Sequence, residues 1–600
     1  MNVSARIPLL LVCFFLCAFS GCGIPSWFEK KSDTQTVSKR KLLEAGAELL
    51  INKNGIIPLK SLTPKPVFRQ NYAAFSETVS LYTSFATRLD TFSTEIILLR
   101  DTDTNAVSAL REKSAAKICV FFGNKYNLRI FLRKNPLPDA LLYLPEFSDE
   151  SLRVAAQMIF GGLPVVGHSA EFLPEIPSEK QYFFTSKTRL SYTDASELDF
   201  APEFIAEIDS LVLHAVREGA TPSAQILIAH KGNVFFSRSY GRHTYDSTAK
   251  ITENSDLYDL ASVTKILSAL PVLMQLHGEG KFFLEAKLED YLPEMRKTEI
   301  GSIKMSDLLT HRSGLPASAG FWVQDLLVKK RNNAYVSSKK SAKHPNEIFD
   351  NTFLCDNYYR DRLLHSAKKI RLGAKDCFLY TDVGFWFLPA IIENITGEKY
   401  AKALQKRIFE PLGAERLMFN PLGKVPQRQI VPTENEKFFY GGLLHGRVHD
   451  PVAALMQGEG AHAGLFGNAN DIAKVMQMYL NGGRYGGVRF FPEETAKKFT
   501  SCLYCDEGIH RGIGFDKPKL DSIKHTAEGV SGKSFGHLGF TGNYVWADPE
   551  HEIIYIFLSN RVYPTQKNNK LSDFRTRLKI QRVIYKWAEK RKAEKEKFIG

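Results

Sequence analysis

Apolar positions along this chain follow three patterns in turn. Ile7–Phe19 is an almost unbroken apolar run behind a single early charge, Arg6. Thirteen residues are too few to cross a hydrocarbon core of roughly 30 Å as a helix, and suit the h-region of a secretory signal. Beyond a polar tether, helical spacing begins near Val37, with Leu42, Leu43, Ala47, Leu49 and Leu50 on the apolar side and a stop at Asn54-Gly55. Short apolar runs follow at Ile118–Phe122 and Ala140–Leu144. Ser148 or Asp149 can then cap a helix carrying Leu152, Ala155, Ala156 and Ile159, closed by Gly161-Gly162. Strands alternating with helices predict an α/β sandwich.

Gln181–Ala201 is polar, rich in Ser and Thr, and reads as a linker. From Pro202 a helix leads to a strand pair, Gln225–His230 and Val234–Tyr240, turning at Lys231-Gly232-Asn233. A matching pair, Tyr544–Ala547 and Glu552–Ser559, lies near the far end. The two hairpins are expected to share one antiparallel sheet with the helical middle packed on it. The expected order is a signal over 1–21, a tether over 22–36, an α/β domain over 37–180, the linker over 181–201, a second domain over 202–565, and a basic helix or tail over 566–600. Fold class is therefore multidomain, α/β followed by α+β.

Composition narrows the function classes. At 600 residues the chain exceeds one ordinary domain of roughly 100–200 residues, and 44% hydrophobic with 24% charged residues excludes wholesale disorder and a multi-span membrane protein. The net charge of +14 is concentrated: six basic residues and no acid lie between Val328 and Lys343, and six bases against three acids lie over Lys586–Lys597. No nucleic-acid motif accompanies them, so they read as one basic loop and one solvated helix. The loop would border a cleft if the segments on either side of it come together in space. After the signal run, Phe19-Ser20-Gly21-Cys22 precedes the tether. Cys502-x-x-Cys505 is a lone pair without histidine ligands, so a local disulfide or two free thiols is expected and zinc is not.

The stretch that carries chemistry is Tyr258-Asp-Leu-Ala-Ser262-Val-Thr-Lys265, followed by apolar residues at helical spacing to Gly278. Ser262 and Lys265, at i and i+3, share one face near a helix start. A serine hydroxyl needs a base within hydrogen-bond reach, and a lysine one turn away supplies one if burial or another cation lowers its pKa. The alternative is a capped helix with a surface lysine.

Three resemblances decide between such alternatives. Phe19–Cys22 resembles the lipobox of bacterial lipoproteins, with Phe19 where an aliphatic residue is usual; it implies lipid on Cys22 and a bacterial membrane lipoprotein facing the periplasm or cell surface, the alternative being an ordinary cleaved signal. "KLLEAGAELLINKNGIIPLK" and "DALLYLPEFSDESLRVAAQMIFGGLPVVG" resemble the ends of the C-terminal α/β domain of family-3 glycoside hydrolases, without the catalytic barrel, which implies a scaffold or binding module.

"SDLYDLASVTKILSALPVLMQLHGEGKFFLEAKLEDYLPEM", "LLTHRSGLP", Tyr380-Thr381-Asp382 and His537-Leu538-Gly539 resemble, in order, the class C β-lactamase and penicillin-binding-protein superfamily. That resemblance implies Ser262 as acylated nucleophile, and Lys265 taking its proton or keeping Tyr380 ionised to do so. It places Tyr380 as proton donor to the leaving group, the amides of Ser262 and Phe540 as oxyanion hole, and Asp382, His537, Gly539 and Phe540 around the substrate. His311 and His462 read as satisfied structural histidines. Asp382 stands where the family has Asn, and His537 where it has Lys. Both departures weaken the expected anchor for a substrate carboxylate and favour an esterase or cell-wall hydrolase over a D-alanyl-D-alanine peptidase or efficient β-lactamase. A non-catalytic wall-binding lipoprotein is the rival of another class. The substrate is expected to be a small ester, β-lactam or peptidoglycan fragment, with no metal or organic cofactor.

Overall fold

The structure, a computed structural model, describes residues 34–599 apart from 71, 87–93, 101–109, 112–115, 168–172, 178–182, 199, 327–332 and 520–524. The signal run, Cys22 and Lys329–Arg331 lie outside the described residues.

The N-terminal unit is a five-stranded sheet in which Val67–Phe68, Thr94–Arg100, Ala116–Phe122 and Ala140–Leu144 run parallel, and Glu48–Asn52 closes one edge antiparallel. Its central strands are apolar without alternation because both faces are covered. Ile118, Val120 and Phe122 face the helix Asp149–Phe160, while Cys119 and Phe121 face Leu128 and Leu132 of the helix Lys125–Lys134. Ser148 Oγ caps the former helix by accepting from Ser151 N at 3.2 Å, and Gly161 ends it at φ 76°.

The first helix corrects the sequence reading. It spans Thr34–Gly46, and Leu49 and Leu50 belong to the next strand, not to the helix's apolar side. Leu42 is 69% exposed while Leu43 is buried. Five residues of strand after a helix look like nearly one and a half more turns of helical periodicity when both are apolar, and the pairing with Ala140–Tyr143 makes them a strand.

The second unit carries a six-stranded sheet in the order Phe535–Leu538, Tyr544–Asp548, Ile553–Ser559, Ser223–His230, Asn233–Gly241, Ser191–Tyr192. Its first and last hairpins meet by antiparallel pairing of Ile553–Ser559 with Ser223–His230. Successive residues point to opposite faces, and both faces are buried. Ile226 and Ile228 pack under the helices Pro202–Arg217 and Thr576–Ile599, whereas Leu227 and Ala229 face the helical region, which includes Ala269–Gly278, Leu388–Thr396 and Ala469–Leu480. Each such side chain contributes about 1.5–3 kcal/mol on burial.

Two expected boundaries move. The segment from 566 is not merely a tail: Leu571, Ile580, Val583, Ile584 and Tyr585 are buried against the sheet. Nor does 181–201 act as a free linker. Ser191–Tyr192 joins the sheet beside Asn233–Val234, and Arg189 donates to the carbonyl oxygens of Leu59 and Phe160 at 2.6 and 2.8 Å. The two units are further tied by Lys474, whose Nζ donates to Tyr82 O and Gly413 O, and by the Lys65–Glu415 ion pair at 2.7 Å. Cys502 and Cys505 form a disulfide. Among the described residues no helix is long and apolar enough to cross a membrane.

Candidate active site

Ser262 sits in a single 3-10 turn, Ala261–Val263, that runs into Thr264–Leu267. The expected continuous helix is interrupted at Ser268, whose hydroxyl donates back to Thr264 O at 2.6 Å, and resumes at Ala269–Gly278. Such bonding to the preceding turn bends helices. Ahead of Ser262, Ala261 adopts φ 46°. The buried Asp259 holds that strained residue by accepting from Ala261 N at 2.9 Å, and its other oxygen accepts from His449 N at 2.8 Å. Asp259 also anchors the opposite wall, its carbonyl accepting from Thr541 Oγ1 and Asn543 Nδ2, both at 2.9 Å. Sequence reasoning passed over Asp259, although an aspartate two residues before a turn residue is a local Asx signal.

The strand Phe535–Leu538 borders the site, and Gly539 ends it with its N–H on Asn543 O. A Cβ on Gly539 would come 2.8 Å from Leu260 O, so glycine lets this strand end approach the Ser262 turn.

Lys265 is fully buried beneath Ser262. Its Nζ donates to Ser262 Oγ at 3.0 Å, Asp382 Oδ1 at 2.5 Å and His462 O at 3.4 Å, and lies 5.1 Å from the Tyr380 ring centre. Burial opposes the charge, but Asp382 and Tyr380 outweigh it and hold the ammonium above the ordinary lysine value. The lowered pKa anticipated from burial is thus reversed, and the reason is the carboxylate that replaces the family's asparagine. Structure brings together Ser262, Lys265, Tyr380, Asp382, His537, Gly539 and Phe540, all lining one cavity of about 840 Å³ except the buried Lys265 at its floor.

His537 is not a cation here. Its Nδ1 donates to Leu538 O at 2.7 Å, leaving Nε2 without a partner. Burial first, then Arg511 and Lys265, push its pKa well below the ordinary imidazole value. His311 behaves alike: its ring lies 4.6 Å from that of Tyr380, its Nδ1 accepts from Thr381 N, and burial with Arg511, Lys265 and His537 keeps it neutral. Its Nε2 lacks a partner, so it is not fully satisfied as expected. His462 pairs through Nε2 with Asp450 Oδ1 at 2.8 Å, its Nδ1 has no partner, and its carbonyl touches Lys265.

Arg511 lines the cavity and was passed over by sequence reasoning. It is 4% exposed, lies 6.0 Å from the Tyr380 ring centre, lines the cavity and pairs with Asp516. Among the described residues its Nε and Nη2 have no hydrogen-bond partner. Burial brings its pKa down to about 10, with Tyr380 acting the other way, so it stays charged at neutral pH. No motif marks it, because it reaches the site from a loop outside the three motifs. In the described part of the lysine-rich segment, Lys339, Lys340 and Lys343 are exposed and do not line the cavity. Among the described residues no cluster of three or more His, Cys, Asp or Glu side chains could hold a metal.

With its sheet, helical region and serine–lysine–tyrosine cluster, the second unit has the architecture of a β-lactamase-like serine hydrolase. The beta-lactamase family model matches residues 208–578, and the chain belongs to that family. It is 29% identical over 413 residues, 63% of this chain and 88% of the relative, to the "Putative D-alanyl-D-alanine carboxypeptidase" of Escherichia coli (strain K12). A relative of the same name in Salmonella agona (strain SL483) is 27% identical over 409 residues, covering 64% and 88%. Among solved structures, EstCE1, "a hydrolase with promiscuous acyltransferase activity", has TM-score 0.47 and 16% identity over 64% of this chain and 98% of its own. A penicillin-binding protein homologue from Caulobacter crescentus has TM-score 0.45 and 15% identity over 64% and 98%. No function is drawn from likeness at that level.

Proposed function

We propose that the chain is an exported serine hydrolase that acylates Ser262 and acts on amides or esters whose leaving group carries a carboxylate, D-alanyl peptides being the fitting class. The observation that carries this reading is Arg511, a buried guanidinium with two donors that have no partner among the described residues, on the Tyr380 side of Ser262. It supplies the cation that the esterase expectation found missing at His537, and guanidinium forks match carboxylates. Ser262 Oγ attacks the carbonyl carbon. Lys265, held as an ammonium by Asp382, orients the hydroxyl and favours the phenolate form of Tyr380, whose oxygen takes the serine proton and becomes the phenol. The backbone amides of Ser262 and Phe540 stabilise the oxyanion. Collapse expels the leaving group with the proton from Tyr380; the phenolate so regenerated takes a proton from the attacking water and returns it to Ser262 Oγ as the acyl-enzyme is cleaved.

A second reading, an esterase for neutral acyl groups, is supported by the exposed Phe378 and Phe540 on the cavity wall. The test is a fluorophosphonate label followed by a panel of D-Ala-D-Ala peptides, a cephalosporin and short aryl esters. Ser262 should be the one labelled serine, and Ser262→Ala should lose on the order of 10³-fold or more in turnover. Labelling elsewhere would refute the assignment, and faster turnover of neutral esters than of peptides would favour the second reading.

Export and lipid on Cys22 belong to the same proposal, supported by Ile7–Phe19 and the Phe19–Cys22 match. A Cys22→Ala protein that still incorporates radiolabelled fatty acid would sink it. The N-terminal unit is read as a glycosidase-derived buttress without glycosidase activity, supported by its Lys474 and Glu415 ties to the second unit. Release of 4-nitrophenol from a hexosaminide by the full chain would contradict this.

A further inference from the structure

Acids and bases lining the cavity are unequally matched. Asp259, Glu436 and Asp450 accept from backbone amides, and Asp382 and Asp516 pair with Lys265 and Arg511. On the Phe540 side, two guanidiniums have no such match. Arg561 is 9% exposed and donates only to carbonyl oxygens, those of Gln566, Asn568 and Phe540, with its Cζ 5.0 Å from the Phe540 ring centre. Arg577 donates to Gly542 O at 3.2 Å and Ser572 Oγ at 3.4 Å. Among the described residues neither forms an ion pair with a carboxylate, and both line the cavity.

Charge placed this way is costly unless something outside the chain offsets it. Burial first, and then the neighbouring Arg577, lower the pKa of Arg561, with only Glu434 acting against them. Two like charges sharing one half-buried wall repel, and an anion between them reverses the sign of that interaction. Neutral carbonyl partners fix the guanidinium of Arg561 without neutralising it, which is the preorganised arrangement an oxyanion needs. The cavity volume of about 840 Å³ lies toward the upper end of ligand pockets, roughly 300–1,000 Å³, leaving room for more than the group held at Arg511.

We infer that Arg561 and Arg577 form a second anion subsite, on the Phe540 side of the cavity, which receives a carboxylate or phosphate carried by the acyl part of the substrate. The inference rests on the serine-hydrolase reading, in which Arg511 holds the carboxylate of the leaving group and the acyl part extends past Phe540. The substrate would then be anionic at both ends. Carboxylate and phosphate share the chemistry that two guanidiniums recognise, and matched substrates separate them.

The experiment compares kcat/KM of the full chain on three aryl esters with one leaving group, whose acyl chains end in methyl, carboxylate or phosphate. Wild type should prefer at least one anionic chain over the methyl chain, and the better anion identifies the source. Arg577→Gln should lower that anionic-to-neutral ratio at least about tenfold, Arg577→Lys should retain most of it, and Lys579→Gln, an exposed charge on the same helix, should not change it. Equal turnover of all three esters by wild type, or an unchanged ratio in Arg577→Gln, overturns the inference. Failure of the hydrolase reading is told apart by binding: inorganic phosphate or succinate should raise the Tm of Ser262→Ala protein, and less so when Arg577→Gln is added. Absence of a rise with both anions also overturns it, whatever the turnover.

Discussion

Lys265 and Asp382 form a 2.5 Å ion pair directly beneath the Ser262 hydroxyl. The lysine is fully buried, so its charge depends on that carboxylate. Replacement of the family's asparagine by aspartate therefore changes the protonation state of the site and not only its hydrogen bonding.

Asp382→Asn should let burial dominate, so that the pKa of Lys265 falls from its raised value. A group with raised pKa keeps its proton until pH rises through that value; lowering it brings the loss into the measurable range. The basic limb of kcat/KM for a neutral aryl ester should accordingly move down by at least about one pH unit. A limb that stays in place would mean that Asp382 does not govern Lys265.

Arg511→Gln should cut kcat/KM for a D-Ala-D-Ala peptide by about 10- to 100-fold, the 1.5–3 kcal/mol of a charge-assisted hydrogen bond. A neutral aryl ester should lose less than about threefold, since it places no carboxylate there. Equal losses on both substrates would mark Arg511 as structural, through its pairing with Asp516.

His537 is held neutral by burial, Arg511 and Lys265. Protonation would need a pH below its depressed pKa, so kcat/KM for a carboxylate-bearing substrate should not weaken through this residue between about pH 5.5 and 8.5. His537→Lys should destabilise the fold by adding a buried cation beside two others, and should not improve a cephalosporin. Thermal denaturation and a pH–rate profile check both points.

Gly539→Ala should lower both kcat and Tm, because a Cβ there meets Leu260 O at 2.8 Å and pushes the strand end away from the Ser262 turn. Unchanged kcat would show that the close approach is not needed for the oxyanion amide of Phe540.

Much of this was legible in the chain itself. The apolar runs Gln225–His230 and Val234–Tyr240 about Lys231-Gly232-Asn233, and Tyr544–Ala547 with Glu552–Ser559, gave the two hairpins, because β-propensity and turn residues act locally. The spacing of Ser262 and Lys265 put them on one face for an equally local reason, the helical repeat. Local chemistry also placed Ser148 as a cap and Gly161 as a stop.

What the sequence could not decide depended on partners distant along the chain. The first helix ends at Gly46, a glycine the periodicity ran through, and pairing with Ala140–Tyr143 makes the apolar residues beyond it a strand. The burial of residues 571–585 follows from one sheet face lacking a cover until that helix supplies it. The charge of Lys265 was misjudged because burial and an ion pair oppose each other, and only their distances set which prevails. Arg511 reaches the cavity from a loop without motif or periodicity, so its role exists only where the fold sets its guanidinium beside Tyr380. Local spacing determined the elements and the nucleophile, and tertiary packing decided the electrostatics, because Coulomb interactions follow distance in space and not separation in sequence.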